Sequence, residues 1–206
     1  MCCTAGRWAS AHGKGAAIAN RETSMQHNRD RKRVFSGVQP SGRLHIGNYV
    51  GALSLWAELQ EFYETIFCIV DLHALNIPER IQPANLHAKS REIAALYVAC
   101  GIDPAKNVMF IQSHIHEHAG LAWILNCVTP VDWLERMTQY KMKAQQSKSV
   151  STGLLDYPVL QAADILLYKA QLVPVGEDQR QHIELTRDVT TRFNVMFGEI
   201  FSRQKS

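Results

Sequence analysis

The sequence predicts an α/β fold built on a doubly wound parallel sheet, and three observations predict it. Residues 65–70 read Thr-Ile-Phe-Cys-Ile-Val, a β-branched and aromatic run without polar alternation, as in a strand covered on both faces. Ile93, Leu96, Tyr97 and Cys100 then fall at i, i+3, i+4 and i+7, the spacing of one helix face. A β-prone run at 33–38 precedes both, so strands alternate with helices. That alternation calls for crossover connections and a sheet whose ligands bind beyond the carboxyl ends of its strands.

The elements follow in order. The first strand ends in Gln39-Pro40-Ser41-Gly42, a cluster of turn formers. From His45 to about Tyr63 the apolar spacing is helical, and the strand at 65–70 ends in Asp71. Gly101, followed by Asp103-Pro104, stops the next helix. A third strand is expected at 107–112, helices at 121–127, 131–143 and 159–169, and a short fourth strand at Leu172-Val173-Pro174-Val175. In the last helix Leu185, Val189, Phe193 and Phe197 recur every four positions on one face, with Arg180, Glu184, Arg187 and Asp188 largely off it.

Length and composition bound the rest. A chain of 206 residues, 46% of them hydrophobic, buries one sizeable core, so 34–206 is expected to be one domain. Residues 1–33 differ: apolar periodicity is absent, and seven Arg or Lys face only Glu22 and Asp30. This segment is expected to be a disordered or targeting extension, either an organellar transit peptide or sequence upstream of a start at Met25. It would place the protein in a mitochondrion or plastid if eukaryotic, and in the cytoplasm if bacterial. A net charge of +3 does not mark a strongly basic nucleic-acid binder. Five scattered cysteines without a C-x-x-C pair point to reduced thiols, with Cys68, Cys100 and Cys127 expected in the core. No stretch reaches the length of a membrane span, so the protein is expected to be soluble.

The segment Pro40-Ser41-Gly42-Arg43-Leu44-His45-Ile46-Gly47-Asn48 sits where the first strand hands over to a helix. A helix amino terminus exposes unpaired N–H groups and partial positive charge, which suits phosphate. His45 and Asn48 add donors one turn apart, and Gly47 lets a flat purine approach the backbone. The loop is neither a Walker A sequence nor a G-x-G-x-x-G turn. A plainer reading of the same residues is a glycine turn with an ordinary helix cap.

His45-Ile46-Gly47-Asn48 resembles the HIGH signature of class I aminoacyl-tRNA synthetases, in the form found in the tryptophan and tyrosine branch. The segments at 35–42, 71–74 (Asp71-Leu72-His73-Ala74), 162–168 (Ala-Ala-Asp-Ile-Leu-Leu-Tyr) and 174–188 (from Pro174-Val175-Gly176-Glu177-Asp178-Gln179) resemble those of bacterial and organellar tryptophanyl-tRNA synthetases, in the same order. The similarity covers roughly 34–201 and implies a Rossmann-type nucleotide-binding domain.

The resemblance also implies roles. His45, Asn48 and Lys143 would be catalytic, Lys143 reaching the ATP phosphates; a solvated basic face is the plainer reading of Lys141 and Lys143. Gln39, Pro40, Ser41, Gly47, Asn48, Gly176, Glu177 and Asp178 would hold ATP, although on their own Glu177 and Asp178 read equally as first-turn acids. Asp164 would accept the indole N–H of tryptophan, a charge-assisted bond worth about 1.5–3 kcal/mol. As a helix-surface carboxylate Asp164 sits badly among Ala162, Ala163, Ile165 and Leu166. Phe35, Gly37, His73, Tyr157 and Gln179 would line the amino-acid pocket, with core packing the alternative for Phe35. Gln161 stands where many relatives carry methionine.

Under this resemblance the substrates are L-tryptophan, ATP with Mg²⁺ as counter-ion, and tRNA(Trp), and the full-length relatives are homodimers. The family's mobile KMSKS lysine loop and its anticodon-binding domain lie beyond residue 206. The chain is therefore expected to bind tryptophan and ATP while forming adenylate poorly and charging tRNA negligibly. A non-catalytic tryptophan- and ATP-binding protein, serving as dimer partner or regulator, is the alternative. A different HIGH-type adenylyltransferase acting on a small acid is a remoter one. No metal site is predicted: His114, His116 and His118 alternate, but Ser113 and Glu117 read as a helix start that would make the rings diverge.

Overall fold

The computed structural model describes residues 31–40, 54–76, 83–146 and 149–202. All but Arg31 belong to one compact unit, 32–206. Among the described residues the sheet has three strands, β1 (Arg33–Val38), β2 (Glu64–Ile69) and β3 (Val108–Ile111), all parallel and in that spatial order. Leu172 adds an isolated parallel bridge to Val34 on the other edge of β1. The chain thus steps outward from β1 through β2 to β3 and then returns to the opposite side of β1. Such a reversal opens a crevice at the carboxyl ends of the strands.

The expected fourth strand at 172–175 is reduced to that one bridge. Leu172 accepts from the Phe35 N–H at 3.1 Å and donates to the Arg33 carbonyl at 3.2 Å, but Pro174 has no N–H to continue the ladder.

The continuous apolar run of β2 is explained by its two covered faces. Phe67 and Ile69 pack with Trp56 of α1 (Ser54–Leu59) and with Ile93 and Tyr97 of α3 (Pro83–Ala99), which follows the short α2 (Asp71–Ala74). Ile66 and Cys68 pack on the other face with Phe35, Val173, Ile165 of α7 (Thr152–Leu167) and Ile183 of α8 (Arg180–Phe197). The end of α3 follows its sequence signal. Gly101 has φ +96°, and the Ile102 and Gly101 N–H groups donate to the Tyr97 and Val98 carbonyls, each at 3.0 Å.

A third cluster joins α7 and α8 to α4 (Glu117–Asn126), α5 (Val131–Glu135) and α6 (Thr138–Gln146) through Leu125, Leu134, Met137, Val159, Leu166 and Val189. The single helix expected over 131–143 is two. Met137 turns into the core between them, and the Thr138 N–H donates to Gln181 Oε1 at 2.9 Å, so the second helix starts afresh. Helix α7 begins seven residues earlier than the expected 159, because the Ser151 hydroxyl accepts from the Leu154 N–H and caps it. The helix expected from His45 to Tyr63 is seen as α1; its earlier part lies outside the described residues.

Two further expectations are corrected. Cys127 is exposed, since it lies just past the last turn of α4, while Cys68 is buried and Cys100 half-buried. Phe197 is exposed at the end of α8, whose buried face is Leu185, Val189 and Phe193. Among the described residues no helix is long and apolar enough to cross a membrane.

Candidate active site

Asp164, in the last turn of α7, is buried and has donors on both oxygens. Its Oδ1 accepts from Gln112 Nε2 at 2.7 Å and pairs with His118 Nδ1 at 2.6 Å. Its Oδ2 pairs with His73 Nε2 at 2.8 Å. Each donor comes from a different element beyond the carboxyl end of a strand. His73 lies in α2 directly after β2, Gln112 is the first residue after β3, and His118 is in the first turn of α4. Burial alone would push the Asp164 carboxyl up. The hydrogen bonds from His118 and His73, with their charge interactions, instead hold it below the usual carboxylate range.

These donors are themselves fixed. Gln112 Oε1 accepts from the Leu72 N–H at 3.1 Å, which aims its amide nitrogen at Asp164. The His118 Nε2 atom lies 2.8 Å from the Tyr168 hydroxyl, and the Tyr168 ring stacks on Phe35 at 5.6 Å. Asp71 accepts from both the Ser113 N–H (2.9 Å) and its hydroxyl (2.6 Å), tying the end of β3 to α2. Gln39 Nε2 donates to the His73 carbonyl at 2.8 Å, bringing the turn after β1 to the same place.

Tyr157 lies two turns before Asp164 on α7, with its ring edge-on to His73 at 6.4 Å and Lys143 Nζ 4.5 Å from its centroid. The lysine and ring make a cation–π contact that brings α6 to the site. The Tyr157 hydroxyl lies 3.0 Å from His182 Nε2. Burial, with the negative charge of Asp178, pushes the Tyr157 hydroxyl up to about 12. Glu177–Gln179 forms a single 3-10 turn before α8, closed by a Gln179 N–H to Gly176 carbonyl bond of 3.0 Å. Within it Gln179 Nε2 donates to Asp178 Oδ2 at 2.8 Å, and the exposed Glu177 pairs with Arg180 at 3.3 Å.

Gly37 shows why the end of β1 needs glycine. A Cβ there would sit 2.9 Å from both the Cys68 carbonyl oxygen and Val70 Cγ1. Gly37→Ala is expected to destabilise the fold by about 1–3 kcal/mol through backbone displacement. Urea denaturation measures this, and an unchanged midpoint would show that β1 and β2 separate freely.

The structure therefore brings together Gln39, His73, Tyr157, Asp164 and Lys143, with Phe35 behind them in the core. Pro40 is buried at the end of the β1 turn. Gly176, Glu177, Asp178 and Gln179 form a more exposed turn on the α8 side. Ser41, His45, Gly47 and Asn48 lie outside the described residues. Gln112 and His182 carried no assigned role in the sequence, and His118 stood there only as one of three alternating histidines. His114 and His116 are exposed while His118 is fully buried on Asp164, so the three alternating histidines share no centre.

Residues 27–206 match the family of tRNA synthetases class I (W and Y). The chain belongs to that family. It is 57% identical over 169 residues to the tryptophan-tRNA ligase of Gloeobacter violaceus, an alignment covering 82% of this chain and 50% of the relative. It is 58% identical over 170 residues to that of Caldanaerobacter subterraneus, covering 82% and 51%. Among solved structures, the tryptophanyl-tRNA synthetase of Campylobacter jejuni, complexed with ADP and tryptophan, superposes with a TM-score of 0.79 at 44% identity, covering 84% of this chain and 54% of that one. The chain spans about half the length of the curated relatives it matches.

Proposed function

We propose that this class I synthetase chain forms the tryptophan- and ATP-binding part of a tryptophan-tRNA ligase. The observation that carries the reading is the Asp164 carboxylate. Two carboxylate oxygens offer about four lone-pair sites, and three are taken by Gln112, His118 and His73. Among the described residues one acceptor site remains, on Oδ2. An indole offers one donor and no acceptor, so the two match.

The proposed reaction has two steps. A tryptophan carboxylate oxygen attacks the α-phosphorus of ATP, forming the acyl-adenylate and breaking the bond to pyrophosphate. The 2′-hydroxyl of the terminal tRNA adenosine then takes the acyl group and releases AMP. ATP enters as its Mg²⁺ complex, the metal belonging to the substrate. Rates in such chemistry come from positioning and from charge opposite the phosphates, the part proposed for Lys143, His45 and Asn48. Asp178, with Gly176 and Glu177, is proposed to receive the ATP ribose. A second copy of the chain is the proposed protein partner, and tRNA(Trp) the nucleic acid.

Calorimetric titration tests the binding step directly. L-tryptophan is expected to bind, and L-phenylalanine to bind at least about a hundredfold more weakly, because it leaves the buried acceptor unpaired. Equal affinity for the two, or preference for tyrosine, would overturn the assignment.

A further inference from the structure

His182 lies in the first turn of α8 with its surface fully covered. Among the described residues its ring makes a single hydrogen bond, between Nε2 and the Tyr157 hydroxyl at 3.0 Å, and its buried Nδ1 has no partner there. As core filling this is a poor choice. An unsatisfied buried polar atom costs about 1–3 kcal/mol, a cost that leucine or phenylalanine at the same place would avoid. What the imidazole supplies in exchange is a fixed anchor for one hydroxyl.

That hydroxyl stands at a particular place. The Tyr157 ring stands edge-on to His73, which pairs with Asp164, and has the Lys143 ammonium 4.5 Å from its centroid. If the indole N–H meets Asp164 and the phosphates meet Lys143, the polar end of the amino acid falls between them, beside Tyr157. Among the described residues His182 is the hydroxyl's hydrogen-bond partner, so one half of its donor and acceptor capacity is committed and the other is open. Burial, together with the charge of Lys143, holds the imidazole well below its ordinary value, at about 4, which keeps it neutral against the phenol.

We infer that His182 is a positioning residue that fixes the Tyr157 hydroxyl against the ammonium and carboxylate end of the bound amino acid. The inference rests on the tryptophan reading of the site. It assigns His182 no contact with substrate; the effect passes through Tyr157.

The test is calorimetric titration of the 206-residue chain with L-tryptophan and with 3-methylindole, which has the ring but no polar end. His182→Phe keeps a ring and removes Nε2. It is expected to weaken L-tryptophan about tenfold while leaving 3-methylindole within about twofold, the loss of roughly one hydrogen bond. His182→Gln, whose amide reaches the Nε2 position, is expected to restore most of the affinity. Tyr157→Phe is expected to cost about as much as His182→Phe, with nothing added in the double variant. Should His182→Phe not fold, His182→Asn serves instead, because its amide stops at the Nδ1 position and falls short of Tyr157. Equal losses for both ligands, no recovery with glutamine, or additive losses in the double variant would each overturn the inference. Failure of the native chain to bind L-tryptophan would overturn the tryptophan reading itself, and is seen before any variant is made.

Discussion

Asp164→Ala is expected to abolish detectable tryptophan binding and to destabilise the fold by about 3–5 kcal/mol, the cost of breaking a buried, hydrogen-bonded charge network from one side. The substitution strands three donors at once: His73 Nε2, His118 Nδ1 and Gln112 Nε2, all on residues that are themselves buried. Three helices and the end of β3 meet at this carboxylate, so the loss is not confined to a ligand contact. Asp164→Asn separates charge from shape. Its carbonyl still accepts from Gln112 or His118, while its NH₂ turns a donor toward a donor unless His73 changes tautomer. A smaller loss of about 1–3 kcal/mol is expected, with tryptophan affinity still reduced. Urea denaturation and calorimetry at pH 7 give both numbers. An alanine variant within about 1 kcal/mol of the native chain would mean that the network is not structural.

The same residue has a pH signature. Its folded-state pKa is depressed, so its contribution is fully present above the unfolded carboxylate value and is lost as pH falls through the folded one. The loss belongs to the strongly acidic range, and Asp164→Asn removes it.

How far this site was legible in the sequence depends on the kind of signal each residue carries. Periodicity and run length are local, and they located β2, α3 and the buried face of α8. The failures were also local, but of a kind that periodicity does not encode. Pro174 stops a ladder that the apolar letters 172–175 promise, and Met137 turns inward to split an apparently continuous helix. The site itself is not local. His73, Gln112 and His118 are 91, 52 and 46 positions from Asp164, and only the crossover topology brings the three together. Resemblance to a family supplied His73 and Asp164 as separate members of a pocket. It did not supply the bond between them, nor the donors that hold the carboxylate from the other side. One signal was available: Gln112 is the first polar residue after β3, where an open α/β sheet places its ligand-binding groups. His182 had no such signal, because 177–184 is polar except at Ile183 and a histidine in such a run reads as exposed.

That histidine gives a second acid-range loss, at a higher pH than Asp164 does. Burial is the largest cause of its depressed pKa; Lys143 and His73 act in the same direction, and Asp178 opposes them. Folding therefore favours the neutral ring. The contribution is complete above the unfolded histidine value near 6.5 and is lost as pH falls to the folded value of about 4. The span of roughly 2.5 units corresponds to a stability loss of up to ~3 kcal/mol. Urea midpoints at pH 7, 5.5 and 4.5 are expected to fall steeply for the native chain. For His182→Gln, which cannot take a proton, they should fall much less. If the two chains lose stability in parallel over this range, the buried imidazole is not the group responsible. If they diverge, the stability of the fold below pH 6.5 is limited by the residue that holds Tyr157 in place.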